Sequence, residues 1–119
     1  MMTPEEFFAG KPLPQTLFGL VRSVVEAVGP ASLRVTKSQI AFRRRRGFAW
    51  AWMPGQYLRG PAAPLVLSLS LPSRDSSPRW KEVVEPAPGR FMHHLELYGP
   101  DDIDSEVSAW IQAAWDAAE

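Results

Sequence analysis

The sequence predicts an α+β domain: an antiparallel sheet of about five strands, with N-terminal helices and a C-terminal helix packed on one face. Three observations carry this expectation. Apolar residues recur at helical spacing between Pro14 and Val28, the period changes to two from Leu33 to Tyr98, and helical spacing returns from Pro100 onward. Neither an internal repeat nor a domain boundary interrupts the pattern, so residues 1–119 read as one domain. A chain of this size can bury roughly two thirds of its unfolded surface in a single core.

The elements follow in order. Thr3-Pro4-Glu5-Glu6 is a helix start, with Thr3 as N-cap, Pro4 at the first helical position and Glu6 closing a capping box. Phe7 and Phe8 anchor this short helix, and Gly10-Lys11-Pro12 ends it. A second helix from about Pro14 to Val28 carries Leu17, Val21, Val24 and Val28 on one stripe, widened by Leu20 and Val25, and Gly29-Pro30 stops it. Leu33 and Val35, then Ile40 and Phe42, then Phe48, Trp50 and Trp52 alternate with other residues as strands do. Leu65, Leu67, Leu69 and Leu71 alternate with Val66, Ser68 and Ser70, and should face the helices. Lys81 to Glu85 forms a further strand, Pro88-Gly89 centres a type II turn, and Phe91 to Tyr98 returns. The final helix carries Ile103, Val107, Trp110, Ile111, Ala114 and Ala118 on its apolar stripe, and Asp101, Asp102 and Asp104 at its dipole-positive end.

Composition excludes several chemistries. There is no cysteine, so disulfides, thiolate metal sites and cysteine nucleophiles are out. The acidic start lacks the basic and apolar segments of a secretory signal, and no run of about eighteen apolar residues is present. The expectation is a soluble cytoplasmic protein, a monomer or homodimer, with no membrane contact.

The net charge of zero conceals segregation. Residues 31–90 carry eleven basic and three acidic side chains, whereas residues 91–119 carry seven acidic and no Lys or Arg. Ten of the thirteen cations are arginine, the side chain suited to bidentate phosphate or carboxylate binding and to stacking on aromatics. The acidic helix is expected to neutralise the basic sheet within the molecule.

The densest feature runs from Gln39 to Met53, where Arg43 to Arg46 lead through Gly47 into Phe48-Ala49-Trp50-Ala51-Trp52. On a strand Phe48, Trp50 and Trp52 share one face. If that face is open, they form a stacking platform flanked by Lys37, Arg43 or Arg59; if it is buried, they are core. The sequence leaves both open.

The run Val35-Thr36-Lys37-Ser38-Gln39-Ile40-Ala41-Phe42-Arg43-Arg44-Arg45, with Phe48-Ala49-Trp50, Arg79-Trp80-Lys81-Glu82-Val83-Val84 and Met92-His93-His94-Leu95-Glu96-Leu97, resembles an uncharacterised bacterial domain-of-unknown-function family of short, actinobacterial-type proteins. The resemblance covers nearly the whole chain. It implies an α+β fold and, through similar domains fused behind nuclease-like domains, a nucleic-acid context. It implies no activity and assigns no residue.

Two other groups could carry chemistry. His94 and Glu96 lie two apart and share a strand face, and Ser68 and Ser70 could lie across from them. Ser, His and Glu together invite a hydrolase reading, but no nucleophile-elbow pattern accompanies them, and two ligands are too few for a metal. Arg79-Trp80 could rim a pocket over the polar sheet face. The sequence therefore points to a module that binds an anionic or planar ligand, nucleic acid or a nucleotide-like molecule, on the uncovered face through Lys37, Arg43, Trp50, Arg79, Trp80, His94 and Glu96. No catalytic residue, metal or cofactor is assigned. The competing classes are a small enzyme using His94 and Glu96 as general acid and base, and a protein-interaction module.

Overall fold

The computed structural model describes residues 2–56 and 60–119; Arg59, a candidate flank of the aromatic platform, lies outside them. Helix α1, Pro4–Phe7, starts in the expected capping box: the Glu6 N–H donates to Thr3 Oγ1 (3.1 Å) and the Thr3 N–H to Glu6 Oε1 (2.9 Å). Those bonds hold the Glu6 carboxyl below the usual carboxylate range, with the Thr3 backbone bond the largest cause. Helix α2, Pro12–Val28, begins a little earlier than expected because Pro12 itself occupies the first turn. It buries Leu17, Phe18, Val21 and Val25, while Leu20 stays exposed. Phe18 takes the place expected for Leu20 because it lies on the Leu17–Val21–Val25 side of the helix.

The C-terminal helix, by contrast, starts later than expected. Pro100–Asp102 forms a separate 3-10 turn in which Asp102 Oδ2 accepts the Tyr98 and Gly99 N–H groups. Helix α3, Ser105–Ala117, then begins with Asp104 as N-cap, its Oδ1 accepting the Val107 N–H at 3.1 Å. The acidic run is thus divided between two helix starts.

Among the described residues six strands, one more than the expected five, form a single antiparallel sheet: β1 Ser32–Val35, β2 Ile40–Arg43, β3 Gly47–Trp52, β4 Leu65–Leu71, β5 Glu82–Ala87 and β6 Arg90–Leu97, in spatial order β1-β2-β3-β4-β6-β5. The β5–β6 turn carries Gly89 at φ +73, the conformation the type II reading requires. Both edges are weak templates. β1 has four residues, and β5 slips register between Val84 and Ala87, around Pro86.

Helices α2 and α3 cover one face. Leu65, Leu67, Leu69 and Leu71 all turn to that side and are buried, as their alternation predicted. A chain of rings ties the N-terminal helices to the sheet: Phe7–Phe8 at 4.9 Å, Phe8–Phe18 at 5.3 Å, Phe18–Phe42 at 5.6 Å and Phe42–Phe48 at 6.4 Å.

One irregularity corrects the sequence reading. Phe42 pairs with Ala49, but Arg43 pairs with Gly47, so Phe48 is an extra residue in β3. This bulge resets the alternation. Phe48, Ala49 and Ala51 are fully buried on the helix side, while Trp50 and Trp52 are half-buried. The three aromatics do not share a face: Phe48 is core, and the two tryptophans lie on the side the helices leave uncovered.

Candidate ligand-binding cleft

On that uncovered face the register aligns one residue from each of five strands. Ala41 of β2 sits opposite Trp50 of β3, Trp50 opposite Ser68 of β4, Ser68 opposite His94 of β6, and His94 opposite Glu82 of β5. The neighbouring rows place Trp52 across from Val66 and Val66 from Glu96, and Ser70 across from Met92. Trp50, Trp52, Ser68, Met92 and His94, with Ser38 and Gln39 from the β1–β2 turn, line an open cleft of about 380 Å³. The turn is fixed by Thr36, whose Oγ1 accepts the Ser38 and Gln39 N–H groups.

A hydrogen-bond relay orders the cleft floor. The Trp52 Nε1–H donates to Ser68 Oγ (2.9 Å), which lies 2.6 Å from His94 Nδ1. An indole nitrogen only donates, so Ser68 receives from Trp52 and its own hydroxyl hydrogen is available to His94 Nδ1. In that arrangement the remaining imidazole proton sits on Nε2. The Trp52 and His94 rings meet edge to face at 6.2 Å. Burial pushes His94 below the ordinary imidazole value and His93 adds to this, while the Glu82 carboxylate opposes it. The carboxylate acting on His94 is thus Glu82, directly across, rather than the predicted Glu96, which pairs beside Val66. Ser68 is almost fully buried in the middle of the sheet, a poor position for a nucleophile. Its hydroxyl orients the histidine.

The family described as Domain of unknown function (DUF5655) matches residues 5–118. The chain belongs to that family. No curated protein and no solved structure matches it. Among the described residues of this DUF5655 chain, no three His, Asp or Glu side chains group as a metal site, and no helix is long and apolar enough to cross a membrane.

Of the seven side chains predicted for the site, the structure brings Trp50 and His94 together in the cleft. Glu96 lies on the same face one row away, Lys37 is exposed in the turn that supplies Ser38 and Gln39, and Arg43 is exposed at the end of β2. Arg79 and Trp80 lie elsewhere, on the helix-covered side. Trp80 is buried against Trp110 of α3 (4.1 Å between ring centroids) and His93 (4.8 Å). Its indole N–H donates to Asp75 Oδ2 at 2.9 Å, the leading cause of the lowered Asp75 pKa. His93 accepts the Asp75 N–H at Nε2 and lies 3.0 Å through Nδ1 from the Phe91 carbonyl oxygen, so both ring nitrogens are engaged in anchoring the loop.

Arg79 joins this cluster to the start of α3. It pairs with Asp104 (3.0 Å) and Glu106 (2.9 Å), donates to the Asp102 carbonyl (2.8 Å) and lies over the Trp110 ring. Its pKa is raised, chiefly by the Glu106 bond. Among the described residues Arg79 is the only cation paired with carboxylates. The acidic helix thus meets the basic segment through direct ion pairs at Arg79, whereas the arginine turn contacts it through carbonyls.

The arginine turn meets α3 at its other end. Arg44 Nη1 donates to the Trp115 carbonyl (3.1 Å), the Arg45 backbone N–H to that of Ala118 (3.3 Å) and Arg46 Nη2 to that of Ala117 (2.6 Å). A helix leaves its last carbonyls without internal partners, and its C-terminal end carries partial negative charge. Three consecutive residues of the turn supply both the donors and the opposite charge. The Arg44 guanidinium also lies 3.5 Å from the Trp115 ring centroid, and the Trp115 N–H donates to the Pro30 carbonyl (3.0 Å). Charge density in the sequence signalled these arginines, but not that carbonyls would be their partners. Trp52 was read as part of a stacking platform but not among the seven site residues, and Gln39 and Met92 were not singled out; what unites them is cross-strand register, which is not legible in the sequence.

Proposed function

We propose that this domain binds a planar heteroaromatic ligand in the Trp50–Trp52–His94 cleft. The observation that carries the reading is the presentation of two tryptophans on the uncovered face beside a histidine held by Ser68. A planar ring would stack on the indoles, and His94 Nε2–H would donate to an acceptor at its edge. Among the described residues, no Lys, Arg, Asp or Glu lines the cleft, so stacking is the main interaction those residues offer. Nucleobases are the natural class of such rings. The likeness to domains fused behind nuclease-like domains in bacterial proteins agrees with this, and a cytoplasmic setting belongs to the same reading.

Quenching of tryptophan fluorescence by nucleosides tests it. Saturable quenching is expected, and Trp50→Ala should weaken binding roughly tenfold, since stacking is worth about 1–3 kcal/mol per base. No saturation by any of the common nucleosides at millimolar concentration would overturn the reading. The short Ser68–His94 contact with Glu82 opposite supports a second reading, general acid–base catalysis by His94 on a bound ligand. His94→Gln separates the two: graded weakening in the same titration marks a binding site, and complete loss of substrate turnover with binding intact marks an enzyme.

A further inference from the structure

Beside the cleft, at the end of the sheet, the β2–β3 and β5–β6 turns enclose a notch of about 130 Å³ against the end of α3. That is several times the roughly 30 Å³ share of a water molecule. Arg46 of the β2–β3 turn and Arg90 at the start of β6 both line it, together with Ser70 and Gly89. We propose that this notch binds a tetrahedral oxyanion, the phosphate end of a phosphorylated planar ligand whose ring lies in the cleft.

Charge and donor geometry support the phosphate subsite independently of the cleft. The bond from Arg46 to the Ala117 carbonyl uses one of five guanidinium N–H groups and fixes the direction of the others. The Arg90 side chain is exposed and makes no hydrogen bond or ion pair among the described residues. The carbonyls at the end of α3, whose negative ends would repel an anion, already accept from Arg44, Arg45 and Arg46. Against these donors stands Glu85, whose carboxylate accepts the Gly89 N–H at 3.1 Å and so removes that backbone donor from the notch. Asp104 and Glu106 lie at the opposite end of the 13-residue α3, about 20 Å away at 1.5 Å per residue. Two arginines held on separate hairpins suit the fork geometry that phosphate favours.

The link to the cleft rests on the proposed function and on two adjacencies. Gly47 lines the notch and lies under the Trp50 ring: a Cβ there would come 2.7 Å from Trp50 Cζ2. Ser70 lines the notch directly across from Met92, which lines the cleft. Ser70 also stands two residues from Ser68 along β4, about 7 Å at strand rise.

Two titrations of the full chain test this. Inorganic phosphate, compared with chloride at equal ionic strength, should raise the melting temperature saturably, and Arg90→Gln should abolish the effect. A nucleoside 5′-monophosphate should bind about tenfold tighter than its nucleoside by tryptophan quenching, and Arg90→Gln should close that gap. Arg90 is chosen because replacing Arg46 would also loosen α3. Equal effects of phosphate and chloride, or a gap that survives in Arg90→Gln, would sink the subsite. Nucleoside binding without a monophosphate gap keeps the cleft and rejects the notch. Saturable phosphate binding without nucleoside binding keeps the notch and rejects both the cleft reading and its link to the notch.

Discussion

Two glycines with close ring contacts differ in what a methyl group would do. A Cβ at Gly29 would overlap the Trp115 ring, and a Cβ at Gly47 would crowd the Trp50 ring. Trp115 cannot yield, because its N–H is bonded to the Pro30 carbonyl and Arg44 lies on its ring. Trp50 stands at the open cleft and can swing away. Gly29→Ala should therefore destabilise by about 1–3 kcal/mol, the usual cost of overpacking, and Gly47→Ala by less. The same Gly47→Ala change should shift the emission of Trp50 and weaken nucleoside quenching. Urea unfolding followed by fluorescence checks both, and equal losses of stability would contradict the account. Neither contact was legible in the sequence, where Gly29 read only as a helix stop and Gly47 only as a turn. The contacts depend on rings that reach them from residues 86 and three positions away.

At the level of elements, the arginine turn divides into residues with different duties. Arg44 and Arg46 cap α3 through their side chains, whereas Arg45 contributes only its backbone N–H and Arg43 is exposed. Arg44→Ala should lower stability by about 1–2 kcal/mol through loss of a cap and a cation–ring contact. Arg43→Ala and Arg45→Ala should stay within about 0.5 kcal/mol of wild type. Thermal denaturation of the three single variants reads this directly, and three equal effects would reject it. Strict alternation made β4 legible because every second residue is leucine. The β3 bulge was not legible, since Gly47-Phe48-Ala49 carries no mark of an extra residue, and strict alternation therefore grouped Phe48 with Trp50 and Trp52. Arg79 and Trp80 were misplaced for a related reason. A loop hands them to the helix side, where Trp110, distant in sequence, receives them.

For the molecule as a whole, the titrating groups predict a two-stage loss of stability with acid. The folded value of His94 is depressed, so its contribution is fully present above the ordinary imidazole value near pH 6.5 and is lost as pH falls through the lower folded value. Asp75, held by the Trp80 N–H, and Asp104, held first by the Val107 N–H and then by Arg79, are depressed as well. Their contribution is present above the ordinary carboxylate value near pH 4 and disappears below it. Urea midpoints measured from pH 8 to pH 3 should fall in two steps. His94→Gln should remove the upper step and leave the lower; persistence of the upper step would show that His94 does not cause it.

The short β1 and the register-slipped β5 have a consequence for how this domain meets other proteins. A strand arriving from a neighbour would find four residues of template on one side and a proline-interrupted ladder on the other. Zipper-like growth along the sheet is therefore blocked at both ends, and the exposed backbone is of little use as an adhesive. Strand addition from a neighbour finds little footing on either edge.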